Sequence, residues 1–410
     1  MTSIKRLIFS VLCIWGGVLA GEPEAVYLSW KQDPTQSMVI HWMDEDQKGS
    51  WVYYQKVGDQ EWIQNHDEIR TVDGSRMHIH VVDLTGLTQN TEYLFRIGDD
   101  KKIYQFQTLS KDGLHKLKFV VGGDAYYKRD LFQKMNGEVA LQDPDFVIMG
   151  GDIAYTIGAA RGIFKGKDWE ISRWKAFFKE WQKSLVKSNG QLIPIIPVVG
   201  NHDVRRKGSE KQQMFYTVFS FPRPGEAYQV IDIGEELSLF LLDTGHTSPI
   251  EGDQTEWLKK RLEERKDRKV KIAGYHVAAF PSFYSYDKAV SQRIRNCWVP
   301  LFEKYGVCIA FEHHNHCYKR THPIKNEEID QKGVIYLGDG SWGVPPRMPL
   351  KPAVMWYLAE TKSENAYFLV TLENGEVLIE PKRNNGKPIE APLRLQACNI
   401  NDAEKIPAVK

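Results

Sequence analysis

The 410-residue chain has almost no net charge, with 54 basic residues facing 53 acidic ones for a balance of +1. No global field therefore draws it to nucleic acid or to an anionic membrane. It has no Cys-x-x-Cys pair and no Asn-x-Ser/Thr acceptor, so the dithiol motif of redox and zinc sites and glycosylation at that signal are both excluded. It lacks internal repeats and low-complexity runs, and its 42% hydrophobic, 12% aromatic and 26% charged residues exclude disordered, collagen-like, coiled-coil and multispan membrane proteins. Cysteine is scarce. Beyond the first twenty residues there are only Cys297, Cys308, Cys317 and Cys398, and a chain of this length does not need disulfide staples, so they read as small buried thiols with at most one or two bridges.

One apolar stretch stands apart. Lys5 and Arg6 precede Leu7 to Trp15, and small residues follow, with Val18 and Ala20 three and one positions before Gly21. The run is shorter than the roughly 20 residues a spanning helix needs and Gly16-Gly17 interrupts it, so residues 1–20 read as a secretory signal cleaved after Ala20. The mature chain is then secreted or periplasmic, carries no membrane anchor and has a net charge of −1. No Cys follows the cleavage site, which disfavours a lipoprotein anchor.

The length predicts two domains. Over 21–110, short alternating runs (Val26 to Trp30, Met38 to Trp42, Trp51 to Val57, His78 to Leu84, Tyr93 to Ile97, Ile103 to Thr108) are separated by turn residues such as Asp73-Gly74 and Gly98-Asp99, the pattern of an all-β sandwich. Over 111–393 the texture changes. Apolar strand-like runs (Leu117 to Val121, Phe146 to Met149, Pro194 to Val199, Leu237 to Leu242, Val270 to Ala273, Val307 to Phe311, Gly333 to Leu337) alternate with helical stretches at Ile171 to Lys187 and Thr255 to Lys266, which predicts an α/β domain. Two or three short closing strands are expected from Ala366 to Leu393, among them Tyr367 to Thr371 and Val377 to Pro381, and residues 394–410 read as a loose tail.

The chemistry collects directly after apolar strands, where open α/β sheets place their sites. Asp124 follows Phe119-Val120-Val121; Asp152 and Tyr155 follow Val147-Ile148-Met149; Asn201, His202 and Asp203 follow Pro197-Val198-Val199; His276 follows Ile272-Ala273; His314 and His316 follow the run that ends at Phe311. Taken singly, each is equally a helix cap, a turn or a core residue. Five such strand ends made of Asp, Asn and His point to metal ligation, and oxygen and imidazole donors without thiolate suit ferric iron, zinc or manganese. Seven donors exceed what one ion needs; two ions sharing a carboxylate would use them all, as in a two-metal hydrolase.

The ordered set Asp, Gly-Asp-x-x-Tyr, Gly-Asn-His-Asp, His, His-x-His resembles the calcineurin-like metallophosphoesterases and, within them, the purple acid phosphatases, whose plant-type members carry a fibronectin type III-like N-terminal domain. The stretch from Leu84 to Tyr93 similarly resembles the fibronectin corner, in which the Tyr93 hydroxyl bonds back to the upstream backbone. The resemblance implies a four-layer α/β/β/α catalytic domain and a binuclear centre. Asp124, Asp152, Tyr155 and His316 would hold Fe(III), and Asp152 would bridge to a divalent ion (Fe, Zn or Mn) held by Asn201, His276 and His314. His202 would be the catalytic residue, bonding a phosphoryl oxygen or protonating the leaving group, with Asn201 beside it at the substrate. Asp203 would orient His202 or form a turn.

The implied function is an acid phosphatase that hydrolyses small phosphate monoesters with metal-bound hydroxide. A phosphodiesterase on the same scaffold, or an inactive binding or adhesion protein, are the alternatives. Departures from the family pattern are Tyr126 and His313 where glycines are usual, with Tyr126 expected to narrow the pocket or touch substrate and His313 to take an unusual backbone angle or mark a different loop, and Ser285 and Tyr286 where plant members have histidines. Tyr318-Lys319-Arg320 is expected to give structural support.

Overall fold

The computed structural model describes residues 23–396 except 46–49, 73, 113–116, 159–165, 206–212 and 224. The expected signal segment, 1–20, and Cys398 lie outside the described residues. None of the described helices is long and apolar enough to cross a membrane. No disulfide joins Cys297, Cys308 or Cys317.

The first 85 or so described residues form strands only: β1 (Ala25–Ser29), β2 (Met38–Asp44), β3 (Trp51–Lys56), β4 (Ile63–His66), β5 (Glu68–Thr71), β6 (His78–Leu84), β7 (Glu92–Ile97) and β8 (Tyr104–Gln107). They make two four-stranded antiparallel sheets, ordered β1-β2-β6-β5 and β4-β3-β7-β8. The six expected strands are present with ends shifted by one or two residues. Strands β4 and β5 were not foreseen, because IQNH and EIRT are largely exposed and carry no apolar alternation. The Tyr93 hydroxyl accepts the Thr88 N–H at 2.9 Å, the expected corner.

The β1-β2-β6 face is buried on both sides because the second domain covers it. Tyr27 stacks on Phe178 with ring centroids 3.5 Å apart and donates its hydroxyl to the Val218 carbonyl at 2.5 Å, and Arg70 donates to the Phe219 carbonyl at 3.0 Å.

That domain runs β9 (Leu117–Gly122), α1 (Arg129–Ala140), β10 (Phe146–Gly150), α2 (Lys167–Ser184), β11 (Ile195–Val198), α3 (Met214–Val218), β12 (Gln229–Ile233), β13 (Leu237–Leu242), α4 (Asp253–Glu263), β14 (Val270–Val277), α5 (Ala289–Cys297), α6 (Val299–Tyr305), β15 (Ile309–His313), β16 (Tyr318–Thr321), β17 (Ile324–Lys325), β18 (Glu328–Ile329), β19 (Ile335–Gly338), β20 (Leu358–Lys362), β21 (Ala366–Glu373), β22 (Glu376–Arg383) and β23 (Leu393–Gln396). Two mixed sheets result, β11-β10-β9-β21-β22-β23 and β12-β13-β14-β15-β19-β16-β20. Their inner faces share one core that includes Phe119, Val121 and Ile148 from the first and Leu239, Ile272 and Phe311 from the second.

The outer face of the first sheet is covered by α1 and α2 through Phe132, Trp174 and Phe177. That of the second is covered by α4, α5 and α6 through Leu258, Ile294 and Phe302. The four layers are those expected, and the aromatic row of α2 is core. Residues 394–396, expected in the tail, belong to β23, which pairs with β22 through Leu393 and Leu395, so these alternating leucines mark a strand.

Within the sandwich, His80 is fully buried between two carboxylates, Nδ1 to Asp67 Oδ2 at 2.5 Å and Nε2 to Asp44 Oδ1 at 2.8 Å, and stacks on Trp42. Burial alone would lower its pKa, but the hydrogen bonds and charges of Asp44 and Asp67 outweigh it and raise it to about 9. A raised folded-state pKa means that the stabilisation is complete below the unfolded value near 6.5 and is lost as pH rises through about 9. His80→Gln should therefore cost most stability below pH ~6.5, with the gap to the wild type closing at alkaline pH. Urea unfolding of both proteins across that range measures it; a gap that does not change with pH contradicts the charged assignment.

Candidate metal centre

Strands β9, β10 and β11 run parallel, as do β13, β14, β15 and β19, so their carboxyl ends bring the polar segments together. The segments are tied by backbone bonds: Asp124 N–H to the Gly151 carbonyl at 2.9 Å, Ala125 N–H to the Asp152 carbonyl at 2.9 Å and Tyr126 N–H to the Ile153 carbonyl at 2.8 Å. Asp203 is buried and accepts the Ile153 N–H at 2.8 Å and the Gly200 N–H at 3.0 Å. It thus clamps two loops and does not orient the His202 ring. A side chain at Gly200 would put Cβ 2.1 Å from the Asp152 nitrogen, so the close approach of these loops requires glycine there.

Five of the expected ligands have positive φ: Asp124 (57°), Asp152 (51°), Tyr155 (51°), His314 (68°) and His316 (56°). This conformation is uncommon for residues with a side chain, and such strain concentrates at functional sites.

All eight expected site residues meet here. Asp124 Oδ1 accepts the Tyr155 hydroxyl at 3.0 Å and lies 2.8 Å from His316 Nε2, and its Oδ2 accepts the His314 N–H at 3.0 Å. Asp152 Oδ2 lies 3.3 Å from His276 Nε2, which is also 3.3 Å from Asn201 Oδ1. Asp152 Oδ1 accepts the His202 N–H at 2.6 Å. The His276 Nδ1 faces the Gly150 carbonyl at 2.9 Å, which fixes Nε2 toward the site. The His202 ring stacks on Tyr155 with centroids 4.8 Å apart.

The electrostatics are those of a cation site. Burial alone would lower the His276 pKa, but the Asp152 and Asp124 carboxylates raise it to about 9. Burial would raise the Asp152 carboxyl, yet His276 holds it below the usual carboxylate range. Burial, with the nearby carboxylates of Asp124 and Asp152, pushes the Tyr155 phenol well above its ordinary value. Asp152 Oδ2 and His314 Nδ1 are among the buried atoms without a hydrogen bond, and Asp152, His276 and His314 offer donor atoms within 4.8 Å of one another. Buried polar atoms are normally satisfied; here both orphans belong to one oxygen and imidazole donor set that fits a metal ion.

The departures resolve differently. Tyr126 does not narrow the pocket. It is buried in the helical layer, edge-on to Phe132 and Phe177 and under Arg173, because its neighbours there are apolar. The tyrosine beside the site is the exposed Tyr127, edge-on to Tyr155. His313 has ordinary backbone. Its ring occupies the space over Gly150 and Gly123, where a Cβ would fall 1.9 Å and 2.8 Å from it, and its Nδ1 is 2.6 Å from Asp339 Oδ1. Two glycines elsewhere thus make room for the ring. Lys319 pairs with buried Glu312, and Arg320 makes two bonds to Glu390 at 2.7 and 2.9 Å, the expected structural support.

Sequence reasoning missed His246, edge-on to His276 with centroids 5.7 Å apart, and Tyr284, Lys288 and Arg347 around His314. These are single loop or helix-end residues outside any motif.

Comparison with known proteins fits this geometry. The model for purple acid phosphatase N-terminal domains matches residues 23–108, and that for calcineurin-like phosphoesterases matches 114–318, half of the chain. Purple acid phosphatase 15 of Arabidopsis thaliana is 24% identical over 301 residues, covering 67% of this chain and 55% of its own length. A purple acid phosphatase of Glycine max is 21% identical over 337 residues, covering 74% and 67%. The chain spans little more than half the length of the Arabidopsis relatives it matches. Among solved structures, the purple acid phosphatase from yellow lupin (Lupinus luteus) seeds superposes with a TM-score of 0.76 at 16% identity, covering 94% of this chain and 77% of that one. PhoD superposes at 0.64 with 12% identity, covering 92% and 90%. These superpositions show the shared fold.

Proposed function

This chain belongs to the calcineurin-like phosphoesterases, and we propose that within them it is a metal-dependent phosphomonoesterase of the purple acid phosphatase type, exported from the cell. The observation that carries the reading is the pair of orphaned buried atoms, Asp152 Oδ2 and His314 Nδ1, inside a cluster that also holds Asp124, Tyr155, Asn201, His276 and His316. Asp124, Asp152, Tyr155 and His316 would hold Fe(III), and Asp152, Asn201, His276 and His314 a divalent ion. Such a pair supplies positive charge that acidifies water and neutralises phosphoryl oxygens.

The residues of the chain do the positioning. His202 Nδ1 lies 2.5 Å from the Ile157 carbonyl, so Nδ1 carries the proton there and Nε2 turns to the site, 3.9 Å from Asp152 Oδ2. The side chain is about a third exposed, within reach of a phosphoryl or leaving-group oxygen. The phenol of Tyr155, raised by burial, gives up its proton only beside a strong Lewis acid, which favours a trivalent ion next to it. The basic, apolar and small-residue order of 1–20 supports export, and the Tyr93 corner supports a fibronectin-like sandwich.

The iron-loaded protein should show a tyrosinate-to-iron band in the visible spectrum while it hydrolyses aryl phosphate monoesters. Tyr155→Phe should abolish the band. A variant spectrum equal to that of the wild type contradicts the Tyr155 role.

A further inference from the structure

Around the outer edge of His314 two cationic side chains stand without a carboxylate partner. Lys288 Nζ stands 3.2 Å from His314 Nε2 and 4.0 Å from the centre of the Tyr284 ring, which itself stacks on His314 with centroids 4.9 Å apart. Arg347 approaches the same ring, its guanidinium carbon 5.4 Å from the centroid, and donates Nη1 to the Tyr284 hydroxyl at 2.8 Å. Arg347 is fixed to the metal-site loop, its N–H on the His316 carbonyl at 2.7 Å and Nη1 on the His314 carbonyl at 3.3 Å.

Other half-buried cations have fixed partners: Arg265 pairs with Asp232 and Arg320 with Glu390, while Arg173 and Arg295 donate to backbone carbonyls. Among the described residues neither Lys288 nor Arg347 has an ion pair, and Asp287 makes none with its neighbour Lys288. Two cations held by the same ring without a carboxylate form a site completed by an anion.

We propose that Tyr284, Lys288 and Arg347 form a second anion subsite beside the metal centre, which takes a second phosphoryl group of the substrate and so favours compounds with two neighbouring phosphoryl groups. This rests on the phosphohydrolase reading above. The subsite lies at the outer edge of His314, whose buried Nδ1 belongs to the metal cluster, so one phosphoryl at the metals puts the next at Lys288 and Arg347. With a phosphoanhydride, water oxygen forms the new bond to the phosphorus at the metals and the bridging P–O bond breaks. Its electron pair leaves on the second phosphate, held by Lys288 and Arg347. One water proton remains on the first phosphate and the other passes to the departing one, giving two hydrogen phosphates. The two cations also stabilise the charge that develops on that leaving group.

Metal-loaded protein titrated calorimetrically with methylenediphosphonate and with orthophosphate tests the subsite by binding. The bisphosphonate should bind at least about tenfold tighter, and Arg347→Ala or Lys288→Gln should each remove most of that advantage. The ratio of kcat/KM for pyrophosphate to that for p-nitrophenyl phosphate should fall about tenfold in both variants. No bisphosphonate advantage in the wild type, or one that survives both substitutions, overturns the proposal. Wild type that hydrolyses neither pyrophosphate nor p-nitrophenyl phosphate but keeps a substitution-sensitive bisphosphonate advantage overturns the phosphatase reading and leaves the subsite supported.

Discussion

Asp152→Asn is expected to lower phosphoester turnover by at least about a thousandfold and to strip the protein of metal. In the proposed centre Asp152 is the carboxylate that the two ions would share. Its Oδ1 is taken by the His202 N–H, and its orphaned Oδ2 faces His276 at 3.3 Å and His202 at 3.9 Å. Asparagine keeps the shape, so the close approach of Gly200 to Asp152 Oδ1 is preserved, but it removes the charge that raises the His276 pKa to about 9. If Asp152 serves two ions as proposed, loss of its charge would release both. Activity, metal content and the melting temperature in chelator separate this from misfolding. A variant that retains metal and turns over within tenfold of the wild type shows that the mapping of Asp152 is wrong.

His202→Ala should produce the second largest loss, a fall in kcat of roughly a hundred- to ten-thousandfold, with metal content unchanged. The two effects separate because His202 touches Asp152 Oδ1 through its backbone N–H, which alanine retains, whereas the ring contributes Nε2 toward the substrate side. The Asp203 clamp on Ile153 and Gly200 holds the loop without the ring. Steady-state kinetics on an aryl phosphate, with metal analysis of the same preparation, tests both halves. Full activity, or loss of metal with activity, contradicts a role confined to the reacting phosphoryl group.

The site was legible in the sequence because its chemistry is written locally: a buried parallel strand reads as an apolar run, and the ligand follows at its carboxyl end. Asp124, Asp152, Asn201, His276 and His314 all sit in such positions. The sheets were legible for the same reason wherever strands were buried, and not for the exposed β4 and β5.

What stayed hidden depends on contacts between distant segments. That Tyr126 turns away while Tyr127 faces Tyr155 follows from the packing of α1 and α2, which spacing cannot show. That His313 keeps an ordinary backbone could not be read from the sequence, because the room for its ring is made by Gly123 and Gly150, more than 160 residues earlier. Lys288 and Arg347 are isolated basic residues until the fold sets both against Tyr284.

The central claim is that one cluster of seven side chains holds two metal ions, and the metal-to-chain ratio of purified, gel-filtered protein tests it most directly. Two ions per chain, one of them iron, is the predicted result. One ion or none in protein that still hydrolyses phosphate esters would contradict it.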